Sequence, residues 1–293
     1  MKRFFVAIVA IVVLATVAGC TPKSGTVGDA PTGAPPTSAA ATPTVPPAES
    51  PSSAPSPDAT ASSRPAGTIT ISLWLVRSGR IAYTQRTRPT TQSTSQLALT
   101  ELAAGPTTVE ASAGLTTGFP GGTTFRIVGI SDGVETVSFS PGFYDGGRDA
   151  ARLRQAQVVY TLTQFSTVTK VAFQRDGTAL AAPVGRADYT DLLPAIVVTN
   201  PVIGQRRGSP ITVAGTADVF EATVNIRVLD AAGKQIATTF TTATCGSGCR
   251  GSFSVRVSYR VGRAQAGIVE VFWISPNDSS HQDVVRIPVT LLA

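Results

Sequence analysis

The sequence predicts an α+β domain followed by an all-β sandwich, with a disordered tether ahead of both. Three observations carry this expectation. Between residues 68 and 177, strand-like runs are interleaved with two helical patterns, an order that lays helices on one sheet. Between residues 195 and 293 there are seven short strand-like runs and no helical period. Residues 21–66 are Pro, Ala, Thr and Ser with almost no large apolar side chain, too little to offset the entropy of ordering them. The expected division is 1–19, 20–66, 67–185 and 194–293.

The chain starts with Lys2 and Arg3, then an apolar run from Phe4 to Val17, then Val17-Ala18-Gly19-Cys20. A basic start, an apolar stretch of this length and small residues before a cut read as an export signal rather than a transmembrane helix. The segment resembles a bacterial lipoprotein signal. That resemblance implies a diacylglyceryl group on Cys20, which becomes the mature N-terminus on the outer face of the cytoplasmic membrane. The Pro-rich stretch after it favours extended polyproline II at about 3.1 Å per residue, an upper reach on the order of 140 Å.

Ordered sequence begins near Thr68. Ile69, Ile71, Leu73 and Leu75 alternate with Thr70, Ser72 and Trp74, a half-buried strand that places Trp74 on the opposite, open face. Ser93 and Gln96 have capping-box spacing, and Leu99, Leu102 and Ala103 continue at helical spacing until Gly105-Pro106. Thr124–Ile130 and Val134–Phe139 flank Ser131-Asp132-Gly133, a hairpin signal. A second helix is expected from Asp149 to Phe165, with Leu153, Ala156 and Tyr160 on one face. Val168–Gln174 alternates again and turns at Arg175-Asp176-Gly177.

The later strands are expected at 195–199, 211–215, 223–230, 235–242, 252–259, 268–275 and 284–291, with a hairpin turn at Asp230-Ala231-Ala232-Gly233. Cys245 and Cys249 are an even pair in an exported chain and read as a disulfide pinning a loop tip. A metal site would need further ligands nearby, and a redox pair would more usually sit at a helix start.

Two sets of motifs resemble known families. Glu101-Leu102-Ala103-Ala104-Gly105-Pro106, Gly118-Phe119-Pro120-Gly121-Gly122-Thr123, Ile130-Ser131-Asp132-Gly133-Val134 and Gln157–Phe165 together resemble the GerMN domain of sporulation and spore-germination proteins. The resemblance implies an envelope-protein domain similar to ring-building modules of trans-envelope assemblies, with no catalytic residue to carry over. Ser209-Pro210-Ile211-Thr212-Val213-Ala214-Gly215, Val271-Phe272-Trp273 and Arg286-Ile287-Pro288-Val289 resemble the immunoglobulin-like domain of bacterial spore-germination proteins. One departure touches the last turn: Asp278-Ser279-Ser280 stands where the pattern often has a Gly after the Asp.

Net charge is +6, from 24 Lys+Arg against 18 Asp+Glu, with no long basic run, so nucleic acid is a poor partner. The single histidine, His281, has Asp278 and Asp283 near it but reads as a turn residue. Glu101 and Asp132 are the carboxylates a glycosidase reading would use, although Glu101 reads as an exposed helix residue. No zinc, P-loop or calcium-loop spacing occurs. Trp74, Tyr83, Tyr144, Tyr189, Tyr259 and Trp273 are candidates for stacking on wall sugars, or for core and edge packing. The expectation is a non-enzymatic, lipid-anchored envelope scaffold without cofactor or metal. Its partner would be an envelope protein; the alternative is a peptidoglycan-binding accessory to a separate wall hydrolase.

Overall fold

The computed structural model describes residues 67–293. The expectations for the signal, Cys20 and the tether lie outside the described residues.

In the first domain, β1 (Thr68–Arg77) and β2 (Arg80–Pro89) form an antiparallel hairpin over ten register pairs. Helix α1 (Thr94–Ala103) follows, then the short α2 (Thr108–Ser112). A four-stranded sheet comes next: β3 (Phe125–Ser131), β4 (Val134–Phe139), β5 (Lys170–Arg175) and β6 (Thr178–Ala179), in that spatial order. β4 and β5 are parallel, connected through α3 (Arg148–Leu162). The α+β class holds, but the strands form two sheets rather than the expected one.

The reason is written on α3. Its buried face carries amides and a hydroxyl among its apolar residues: Gln157 and Thr161 are fully buried. Gln157 Nε2 donates to the Trp74 carbonyl at 2.9 Å, and Thr161 Oγ1 accepts from the Trp74 N–H at 3.2 Å. One turn on, Gln164 accepts from the Ser72 N–H at 2.7 Å and donates to the Ser72 carbonyl at 2.8 Å. These side chains satisfy the β1 edge that a neighbouring strand would otherwise occupy.

Side chains on both faces of β1 are buried as well. Ile71, Leu73 and Leu75 face the core with Leu99 and Leu102 of α1. Trp74, expected on an open face, is 6% exposed, with its ring 4.8 Å from Tyr160 and 5.4 Å from Tyr83. The rest of this core is aromatic: Phe119, Phe139, Phe143 and Phe173 stack or meet edge to face.

Local signals behaved unevenly. Asp132 and Gly133 both have positive φ, as a tight hairpin turn demands, and join β3 to β4. Ser93 stands at the α1 N-cap, but its side chain makes no capping bond. The capping box lies at α2 instead: Thr107 Oγ1 accepts from the Glu110 N–H, and Glu110 accepts from the Thr107 N–H at 2.7 Å.

The second domain is a sandwich. β7 (Ile196–Asn200), β9 (Ile211–Ala217) and β12 (Gly251–Val257) form one sheet in the order β12-β9-β7. β10 (Thr223–Leu229), β11 (Gln235–Thr242), β13 (Gln265–Ile274) and β14 (His281–Leu291) form the other, extended by the two-residue β8 (Arg206–Arg207). All seven expected strands are present. Val213, Val224, Ile226, Val228, Val269 and Val271 are fully buried between the sheets. Gly215 pairs with Val198 of β7; a β-carbon there would collide with the Val197 carbonyl oxygen.

Candidate binding cleft at the domain junction

The two cores are joined by a connector held from both sides. A 3₁₀ segment, Arg186–Leu192, delivers the chain to Pro194 and β7. From the first domain, Arg80 Nη1 donates to the Asp191 and Leu193 carbonyls at 2.7 and 3.0 Å. Arg152 grips the Asp191 carboxylate with both terminal nitrogens, at 2.6 and 2.7 Å. From the second domain, Arg250 donates to the Pro194 carbonyl at 2.7 Å and the Ala195 carbonyl at 3.3 Å. Val197 of β7 belongs to the first domain's core, and Ile203 packs against both cores.

A cleft of about 310 Å³ opens at this junction. Ile81, Ala82 and Tyr83 of β2 line one wall, and Ile196, Val197 and Val198 of β7 line the other. Three consecutive residues present a strand's edge, not one of its faces. Neither edge is used: β2 pairs only with β1, and β7 only with β9. Leu115, Val202, Ile203, Val285 and Ile287 complete an apolar lining, with Arg77, Arg80 and Asp283 as its charged groups.

Arg77 stands apart from the other arginines. Four of them, Arg77, Arg154, Arg186 and Arg250, have pKa values lowered by burial. Arg154, Arg186 and Arg250 each spread their donors over two or more acceptors. Arg77 makes one bond, from Nη2 to the Ala113 carbonyl at 3.0 Å, and its buried Nε has no partner. Among the described residues it joins no ion pair. A half-buried cation with spare donors in an apolar cleft suits an anionic group.

The remaining buried charges are internally satisfied or isolated. Arg86 bridges Glu101 at 2.9 Å and Glu110 at 2.6 Å, and Arg88 also pairs with Glu101. Burial alone would raise the Glu110 carboxyl, but bonds from Arg86, the Thr107 N–H and Thr84 hold it below the usual range. Glu270 is fully buried between Arg227 and Arg286 on the outer face of the larger sheet. Glu135, also fully buried, is met only by Ser95 at 3.1 Å, and burial raises its pKa.

The sequence-predicted residues do not converge. Glu101 is largely buried in its two ion pairs rather than exposed, and Asp132 sits in the β3–β4 turn beside Ser131. His281 stacks on Phe272 at 3.9 Å, while Asp283 accepts from Trp273 Nε1 and Asp278 accepts from Ser280. Tyr189 and Tyr259 are buried with Trp74, and Tyr83, Tyr144 and Trp273 are half-buried, so these six rings form no open platform. Cys245 and Cys249 are bonded, their Cα atoms 5.6 Å apart. Ser279 takes the left-handed conformation that a Gly would favour, and the turn closes through Ser275 N–H to Ser280 carbonyl. Among the described residues, no group of three His, Cys, Asp or Glu could hold a metal ion.

Comparison with known proteins decides the family of each domain. Residues 73–181 match the family described as sporulation and spore germination, and residues 195–280 match the immunoglobulin-like domain of bacterial spore germination. The chain carries a GerMN domain followed by a spore-germination immunoglobulin-like domain. Among solved structures, the tandem GerMN domains of the sporulation protein GerM from Bacillus subtilis are 17% identical, with 77% of this chain and 61% of that one covered and a TM-score of 0.37. The first GerMN domain of the same protein is 24% identical, covering 40% of this chain and 95% of that one, with a TM-score of 0.35. The chain thus spans 61% of the tandem structure's length, and the assignment rests on the family matches, not on these superpositions. No curated protein matches the chain significantly.

Strand β2, the partner of the expected β1, and the connector arginines were not among the expectations. Ser78-Gly79 between two alternating runs is a hairpin signal that could have found β2. The cleft itself has no local signature, because its walls are 115 residues apart in the chain, counting from Ile81 to Ile196.

Proposed function

We propose that the protein is a non-enzymatic, lipid-anchored component of the cell envelope that presents its GerMN and immunoglobulin-like domains as one binding unit, acting as a scaffold or assembly factor. Cys20 carries the lipid and places the protein on the outer face of the cytoplasmic membrane. The observation that supports this reading most is the junction. Arg80, Arg152 and Arg250 fix the connector from both domains, an arrangement that serves presentation of a surface. The family matches support envelope or germination work.

In-cell crosslinking of the anchored, tagged protein followed by mass spectrometry tests the scaffold role. Discrete envelope-protein partners are expected; wall fragments alone would replace this reading with the peptidoglycan-binding one. Cys20→Ser should shift the protein from the membrane fraction to the medium or leave it unprocessed. Unchanged membrane retention would remove the anchor from the proposal.

A further inference from the structure

We propose that the junction cleft binds the C-terminal end of an extended peptide, pairing it with a free strand edge and meeting its terminal carboxylate with Arg77. Of the preceding reading, only binding by the two-domain unit is needed; the anchor is not.

Three features select this occupant. The cleft is bordered by two unused strand edges, β2 at Ile81–Tyr83 and β7 at Ile196–Val198. Their N–H and C=O groups offer the main-chain bonds of strand addition, which an acyl chain would leave unpaired. The charge is complementary: Arg77 spends one Nη2 donor on the Ala113 carbonyl, and its Nη1 makes no hydrogen bond among the described residues. A carboxylate can take two of its guanidinium donors at once. The apolar side chains of the lining favour an apolar last residue. The volume, about 310 Å³, is at the small end of ligand pockets and suits a short chain end.

The test uses the full-length protein, solubilised in detergent and immobilised. The probe is a pool of hexapeptides alternating Thr with apolar residues and ending in Val, Leu or Phe. The pool is offered once with a free carboxylate and once as the amide, and retention is read by mass spectrometry. Free-acid peptides should be retained at least about tenfold better than amides. Arg77→Gln should abolish that difference. Ala82→Phe, which narrows the cleft and keeps Arg77, should lower retention of the acids. Far-UV circular dichroism and the urea midpoint confirm that each variant is folded; if Arg77→Gln does not fold, Ala82→Phe decides. Equal retention of acids and amides, or no retention of either, overturns the proposal. So does retention unaffected by the folded variants, or binding of decanoate with no binding of peptide. None of these outcomes bears on the crosslinking result, so the scaffold reading stands or falls separately.

Discussion

Arg86 is a residue whose loss should strongly destabilise the GerMN domain. Its side chain is 6% exposed and makes four hydrogen bonds: to the Glu101 carbonyl and carboxylate, to the Gly105 carbonyl, and to the Glu110 carboxylate. In Arg86→Met the apolar volume is largely kept, and the unpartnered Nε disappears without cost. Glu101 keeps Arg88, at 2.6 and 2.7 Å. Glu110 keeps only Thr84 and the Thr107 N–H, so one buried carboxylate is left without a cation. Breaking a buried pair in this way costs about 3–5 kcal/mol, and the surviving bonds argue for the lower end, about 3 kcal/mol. Adding Glu110→Gln removes the stranded charge and should recover at least about 1.5 kcal/mol, since the loss is mainly desolvation without compensation. Urea unfolding at neutral pH, fitted for wild type, both single variants and the double, measures both quantities. A cost below about 1 kcal/mol for Arg86→Met, or a double variant no milder than it, would refute the reasoning. The pH dependence supplies a second check. Glu110 has its pKa lowered on folding, so its contribution is complete above the ordinary carboxyl value and fades as pH falls through the lower folded value. Arg86→Met should flatten that acid limb.

Glu135 should behave in the opposite sense. Burial raises its pKa, so its contribution weakens as pH rises from the ordinary carboxyl value through the raised folded one. Glu135→Gln keeps an acceptor for Ser95 and should stabilise the protein by about 1 kcal/mol at pH 7, with a flatter slope; a less stable variant would count against this. Gly215→Ala should force β7 from β9 and cost about 1–3 kcal/mol, read as a lower urea midpoint. Cys245 and Cys249 should label with a thiol reagent only after reduction. Because so few residues lie between them, reduction should cost no more than about 2 kcal/mol of chain entropy.

Much of the fold was legible because its signals are local. The seven sandwich strands show as period-two alternation, and the Asp132-Gly133 and Asp230–Gly233 turns carry residues suited to their backbone. Trp74 was misplaced because alternation reports two faces but not what covers each. The covering comes from α3, eighty-odd residues later in the chain, whose Gln157 and Thr161 look polar and solvent-facing in sequence yet are fully buried. Ser93 shows the reverse limit: the spacing for a capping box was present, but the box formed at Thr107 and Glu110, where Arg86 also needs the carboxylate. The cleft was illegible for the same reason as Trp74's burial. It exists only because the connector brings together β2 and β7, whose outer edges are left unpaired within their own sheets.

The rungs that α3 places along β1 also give the domain a mechanical grain. Thr68 begins β1, and Arg77, at its far end, lies at the junction with the second domain. Arg80, just past that end, holds the connector carbonyls of Asp191 and Leu193, so tension between the chain ahead of Thr68 and the second domain loads the two ends of β1. The β2 pairing on one edge and the Gln157, Thr161 and Gln164 bonds on the other lie across that line. Such bonds are strained together in shear and must fail as a group, whereas a hairpin pulled from its side would unzip rung by rung. The hairpin that stands apart from the main sheet is thus the domain's tension member.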